Sequence, residues 1–95
     1  MSLRRWNVNN LAFTPEGWED YLYWQSQDKR ALKRINLLLQ DIIRNGYDGI
    51  GKPESLKYDY KGFWSRRIDD NNRIVYRVDG EQIIIAQCGS HYRDK

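Results

Sequence analysis

Apolar and polar positions follow two rhythms along this chain, helical before Gly46 and strand-like after Gly62. Leu32, Ile35, Leu39 and Ile42 recur at spacings of three and four, and Leu38 and Ile43 widen the same stripe, as an amphipathic helix requires. Asp28 precedes the stripe as a cap, and Gly46 follows it as a stop. Upstream, Trp18, Tyr21, Leu22 and Gln25 form a shorter stripe. Thr14 can cap that helix, Pro15 suits its first position, and Glu16 favours the positive end of its dipole. The spacing predicts helices over residues 15–26 and 29–45, joined too briefly to be other than neighbours in a hairpin.

Residues 62–68, 73–78 and 82–88 read as three strands, separated by Asp69-Asp70-Asn71-Asn72 and by Asp79-Gly80, a strong hairpin signal. Residues 11–13, extending back at most to Trp6, supply a further strand. Residues 47–61 lack a period and read as a long surface loop carrying Lys52-Pro53-Glu54, and loops of that length tend to be functional. The order of elements predicts an α+β fold, a helical hairpin packed on one face of a twisted antiparallel sheet in a small single domain over residues 1–95. With Asp79 and Gly80 as a two-residue loop, Val78 faces Glu81, Tyr76 faces Ile83 and Ile74 faces Ile85 on the apolar side. Arg73, Val75 and Arg77 then project from the other side, implying a basic groove there. A one-residue slip reverses faces, so the pattern leaves open whether Arg66 or Arg67 joins that groove.

Composition narrows the class. A chain of 95 residues can bury one core. Aromatic residues make up 14% of it beside a mean hydropathy of −0.88, which argues for an aromatic core under a polar surface rather than for disorder. The longest apolar run, residues 83–86, is four residues, far short of the roughly 20 of a membrane span or the 7 to 15 of a signal-peptide core. One cysteine, Cys88, and one histidine, His91, make neither an internal disulfide nor a structural zinc site, which takes about four ligands. A reducing cytoplasm, no membrane and no metal are expected. The net charge of +3 is concentrated between Lys52 and Arg77, where seven basic groups meet four acidic ones among Tyr58, Tyr60, Phe63, Trp64 and Tyr76. Such a mixture can contact phosphates and stack bases. A solvated sheet edge that resists aggregation has the same composition, and the residues alone leave both readings open.

Few residues offer chemistry: Glu54 in the loop, Arg73 at a strand start, and His91-Tyr92 past the last strand. Metal-free RNA cleavage needs a base for the 2′-hydroxyl proton, a cation for the phosphate as charge builds, and an acid for the leaving 5′-oxygen. Glu, Arg and His suit those tasks. Each is also an ordinary surface residue, and Cys88 reads as a small buried hydrophobe.

Several motifs stand in order: Trp18-Glu19-Asp20-Tyr21-Leu22-Tyr23-Trp24-Gln25, Asp28-Lys29-Arg30, Gly51-Lys52-Pro53-Glu54-Ser55-Leu56-Lys57, Gly62-Phe63-Trp64-Ser65-Arg66-Arg67-Ile68, Arg73-Ile74-Val75-Tyr76 and His91-Tyr92. Together, over about residues 11 to 92, they resemble the Txe/YoeB family of bacterial toxins, within the RelE-like superfamily, whose fold is similar to that of small microbial ribonucleases. The resemblance implies an mRNA endoribonuclease acting in the ribosomal A site and neutralised by a cognate YefM-like antitoxin. No cofactor is implied, and a homodimer is an assembly it allows. By motif, Glu54 matches the general base, His91 the general acid, Arg73 the phosphate-stabilising arginine and Tyr92 a substrate-orienting tyrosine. Lys57 and Arg67 match basic substrate-binding positions. The chain departs from the family in a longer N-terminus over residues 1–10, in Gly89 before His91, and in Arg93, Asp94 and Lys95 after the His-Tyr pair. Those departures keep a second reading in view, a catalytically weak or inert module that binds RNA or an acidic partner.

Overall fold

The structure, a computed structural model, describes residues 10–90. Strand β1 (Asn10–Phe13) leads into helices α1 (Pro15–Gln27) and α2 (Lys29–Asn45), followed by β2 (Glu54–Ser55), a 3-10 turn (Tyr58–Tyr60), β3 (Trp64–Arg67), β4 (Arg73–Asp79) and β5 (Gln82–Gly89). The caps anticipated from sequence set the helix ends. Thr14 Oγ1 accepts the Gly17 N–H at 3.0 Å, and Asp28 Oδ1 accepts those of Arg30 and Ala31 at 3.0 and 3.1 Å. Gly46 closes α2 with φ 65°, a conformation that suits glycine. Residues 47–61, read as loop, also contain β2 and the 3-10 turn.

The sheet runs β1-β5-β4-β3-β2. Strands β2 to β5 form the antiparallel part, while β1 lies parallel to β5, pairing Leu11 with Ile83 and Phe13 with Ile85. Tight turns force antiparallel pairing only between strands adjacent in sequence. Because β1 meets β5 through almost the whole chain, no local turn sets its direction, and the sheet is mixed.

The β4–β5 turn differs by one position from expectation. Asp79 pairs with Gln82 and Val78 with Ile83, so Gly80 and Glu81 form the loop. Only Gly80 takes positive φ, 64°, as a type II′ hairpin requires at its first central position. Moving the loop by one position slips the pairing by two, so Val78 faces Ile83 rather than Glu81 and Tyr76 faces Ile85 rather than Ile83, and an even slip leaves the faces as predicted. Farther along, Tyr76 pairs with Ile85 but Val75 with Gln87, leaving Ala86 as the extra residue of a β-bulge.

The core lies between helices and sheet. Ile35, Leu38 and Ile42 of α2 meet Ile74, Tyr76, Ile83 and Ile85, all with 0% exposure. Complete burial of such side chains contributes about 1.5 to 3 kcal/mol each. The α1 stripe is displaced from expectation. Trp18 and Leu22 stand 47% and 42% exposed, whereas Gly17 and Asp20 are buried and Tyr21 and Trp24 pack against the core. The two buried positions are small and polar because α1 there approaches a strand backbone: a Cβ on Gly17 would lie 2.5 Å from the Ile85 carbonyl oxygen.

Candidate active site on the far face of the sheet

Residues directly opposite in an antiparallel ladder project to the same face. Glu54 pairs with Ser65, Ser65 with Val75 and Val75 with Gln87, so these four form a row across the face away from the helices. The next row holds Arg67, Arg73 and Gly89. On the other side of the first row Arg77 carries its guanidinium carbon 5.8 Å from the Phe63 ring centroid. Two strand spacings, about 10 Å, separate the Glu54 strand from the Arg73 strand.

Glu54 is exposed on the edge strand β2, and Arg67 and Arg73 are half-buried. Lys57 is exposed at the start of the 3-10 turn. Arg73 Nη1 donates to the Asp69 carbonyl at 3.2 Å, where the Asp69 carboxylate also holds the Asn71 and Asn72 N–H groups at 2.8 Å. The approach to Glu54 is conformationally demanding. Gly51 and Lys52 have φ of 80° and 53°, and a left-handed non-glycine residue costs of order 1 to 3 kcal/mol. The centre of the face is not an open groove. Ser65, Val75, Gln87 and Leu56 are buried there, and Tyr60 Oη receives a hydrogen bond from Gln87 Nε2 at 3.2 Å. The basic groups therefore form a rim around a covered centre.

The register also separates the two arginines that the sequence left ambiguous. Arg67 stands opposite Arg73 on the far face, while Arg66 stands opposite Ile74 on the helix side and is fully buried. Its Nη1 donates to Asp41 Oδ2 at 2.6 Å and to the Ile50 carbonyl, Nη2 donates to the Gly46 and Asp48 carbonyls, and Nε to Tyr76 Oη. Arg66 thus ties the segment leading to Glu54 onto the core. Burial works to raise the Asp41 carboxyl, but hydrogen bonds from Arg66, Ile50 and Asn45 outweigh it and hold the pKa below the usual carboxylate value.

His91 and Tyr92 lie outside the described residues, as do Arg93, Asp94 and Lys95 and residues 1–9. Beyond the reach of β1, α1 side chains take over the β5 edge: Thr14 Oγ1 donates to the Ala86 carbonyl at 3.0 Å, Asp20 Oδ2 accepts the Cys88 N–H at 2.9 Å, and Trp24 Nε1 donates to the Cys88 carbonyl at 2.7 Å. Sequence reasoning missed Asp20 and Trp24 in this role. Their place within the Trp-Glu-Asp-Tyr run was the available signal, but only the packing shows what they hold. Burial, with the Asp20 charge, pushes the Cys88 thiol up to about 12, leaving it protonated and chemically quiet. An open cavity of about 410 Å³ lies beside this end of β5, lined in part by Asp20, Trp24, Cys88 and Ser90. Neither Glu54 nor Arg73 lines it.

The sequence model of the YoeB-like toxins of bacterial type II toxin-antitoxin systems matches residues 13–92. The chain is 50% identical over 82 residues to Toxin YoeB of Streptomyces coelicolor, covering 86% of this chain and 98% of that one. Among solved structures it is similar to the heterotetrameric YoeB-YefM toxin-antitoxin complex of Staphylococcus aureus, with a TM-score of 0.82, 50% identity, and coverage of 88% and 98%. It is equally similar to a YoeB dimer from the same organism, with a TM-score of 0.82, 50% identity, and coverage of 90% and 99%. A mixed sheet backed by two helices, the motif order along the chain and these matches together place the protein in the family of YoeB-like toxins of bacterial type II toxin-antitoxin systems.

Proposed function

We propose that this toxin is a metal-independent mRNA endoribonuclease that cleaves a message in the ribosomal A site. The observation that carries the reading is the far-face register, which puts Glu54 in one row and Arg67 and Arg73 in the next, all directed away from the helices. Glu54 takes the proton from the ribose 2′-hydroxyl, whose oxygen attacks the adjacent phosphorus. Arg73 stabilises the charge that builds on the phosphoryl oxygens. His91 protonates the departing 5′-oxygen as the phosphorus–oxygen bond breaks. The products are a 2′,3′-cyclic phosphate and a free 5′-hydroxyl. Lys57 and Arg67 hold the flanking phosphates, and Tyr92 orients the nucleotide at the cut. Cleavage takes place in the cytoplasm, where translating ribosomes are found. A YefM-like antitoxin is the proposed neutralising partner, as the S. aureus complex pairs YoeB with YefM, and self-association is proposed on the S. aureus dimer.

Primer extension on a translated message tests the reading. Wild type should truncate the ribosome-bound transcript, and Glu54→Gln and His91→Ala should each lower cleavage roughly 10²- to 10⁴-fold with unchanged circular dichroism. Unchanged cleavage in both variants would overturn the assignment of base and acid. Toxicity of His91→Ala equal to that of wild type would favour binding without chemistry.

A further inference from the structure

At the centre of the far face Gln87 is 8% exposed, and its Oε1 is a buried acceptor without a hydrogen-bond partner among the described residues. Native structures leave few such atoms, and each calls for an explanation. The other end of the amide is partnered, since Nε2 donates to Tyr60 Oη at 3.2 Å. Gln87 stands in the same row as Glu54 and diagonal to Arg73. The ring of Tyr60, whose hydroxyl accepts from Gln87, meets Phe63 edge-on at 6.5 Å, and the Arg77 guanidinium lies over Phe63. Aromatic rings with a neighbouring cation and one amide are the parts of a nucleobase site, where rings stack the base and the amide reads its edge.

Resting on the nuclease reading above, we propose that Gln87 and Tyr60 form a base-reading subsite of the RNA-binding face, in which Gln87 Oε1 accepts a hydrogen bond from an exocyclic amino group. Adenine, cytosine and guanine carry such a group and uracil does not. Access requires the Tyr60 ring to swing off Gln87. The turn that carries it begins at Tyr58, φ 57°, and is followed by Gly62, φ 96°. With the ring displaced, its face is available to stack the base while the carboxamide meets the base edge.

Two measurements on the full chain test this. The first is single-turnover cleavage of ribosome-bound messages that differ in one base at each position flanking the cut. Wild type should cut messages bearing an amino-substituted base at one of those positions about tenfold faster than messages bearing uracil, the scale of one buried hydrogen bond. Gln87→Met, close to it in volume, should remove that preference, and Tyr60→Phe, which frees Nε2, should weaken it. The second follows the Gln87 side-chain amide by ¹⁵N NMR during titration with oligoadenylate or oligouridylate, and the resonance should shift with the first and not the second. A base profile in Gln87→Met identical to that of wild type, with no shift, would overturn the subsite even if cleavage is robust. Should Gln87→Met fail to fold, an unchanged profile in Tyr60→Phe together with no shift would do the same. A selective shift without any cleavage would uphold the subsite and overturn the nuclease reading, and neither shift nor cleavage would overturn both.

Discussion

Arg66 uses all five of its N–H groups, one toward Asp41, one toward Tyr76 and three toward the carbonyls of Gly46, Asp48 and Ile50. Those carbonyls belong to the end of α2 and the segment after it, which has no regular structure of its own before β2. A guanidinium can serve so many acceptors because its planar fork stays charged and loses little freedom on each bond. Replacing it leaves a carboxylate and several carbonyls short of donors. Arg66→Met is expected to cost about 3 to 5 kcal/mol in urea unfolding, the range for breaking one side of a buried ion pair. Asp41 adds a pH dependence. Its folded pKa is depressed, so its contribution is complete above the unfolded carboxylate value of about 3.9 and is lost as pH falls through the lower folded value. Urea midpoints of wild type should therefore decline on acidification below about pH 4, and Asp41→Asn, less stable at pH 7, should show a shallower decline.

At the scale of elements, α1 is the member whose packing runs against its hydrophobic pattern. Its inward line of Gly17, Asp20, Tyr21 and Trp24 substitutes for a strand, satisfying the bulged edge of β5 where β1 ends. Close approach at Gly17 makes this possible. Gly17→Ala would gain roughly 1 kcal/mol of helix propensity, but the added methyl meets the Ile85 carbonyl oxygen at 2.5 Å, and overpacking costs about 1 to 3 kcal/mol. Thermal unfolding should show a net loss of stability, and cleavage should fall with it because the displaced strand leads directly to His91. A stabilised variant would show that α1 can draw back without disturbing β5.

Across the whole molecule Arg67, Arg73 and Arg77 project from the face of the sheet that the helices leave uncovered. On the proposed function, single-stranded RNA bound there would release counterions, with a slope of log affinity against log salt of about −0.7 per neutralised phosphate. Lys57→Ala and Arg67→Ala should each make that slope shallower by about 0.7 in fluorescence anisotropy, whereas Lys33→Ala, on α2, should leave it unchanged. Much of this organisation is legible in sequence. Thr14, Pro15, Asp28 and Gly46 delimit the helices because capping and backbone freedom are local properties, and the alternation along β4 and β5 assigns Ile74, Tyr76, Ile83 and Ile85 to the core because the pleat has a period of two. The family motifs nominate Glu54, Arg67, Arg73 and His91, yet the apolar pattern by itself does not distinguish the far-face Arg67 from the buried Arg66. That distinction depends on how β3 registers with β4, and a one-residue slip inverts it. The parallel placement of β1, the inward turn of Asp20 and the meeting of Tyr60 with Gln87 were likewise decided by tertiary structure alone, since each joins residues 27 or more positions apart. Local periodicity and propensity determine which elements form; the partners of their polar groups are determined only when distant backbone donors and acceptors must be satisfied together.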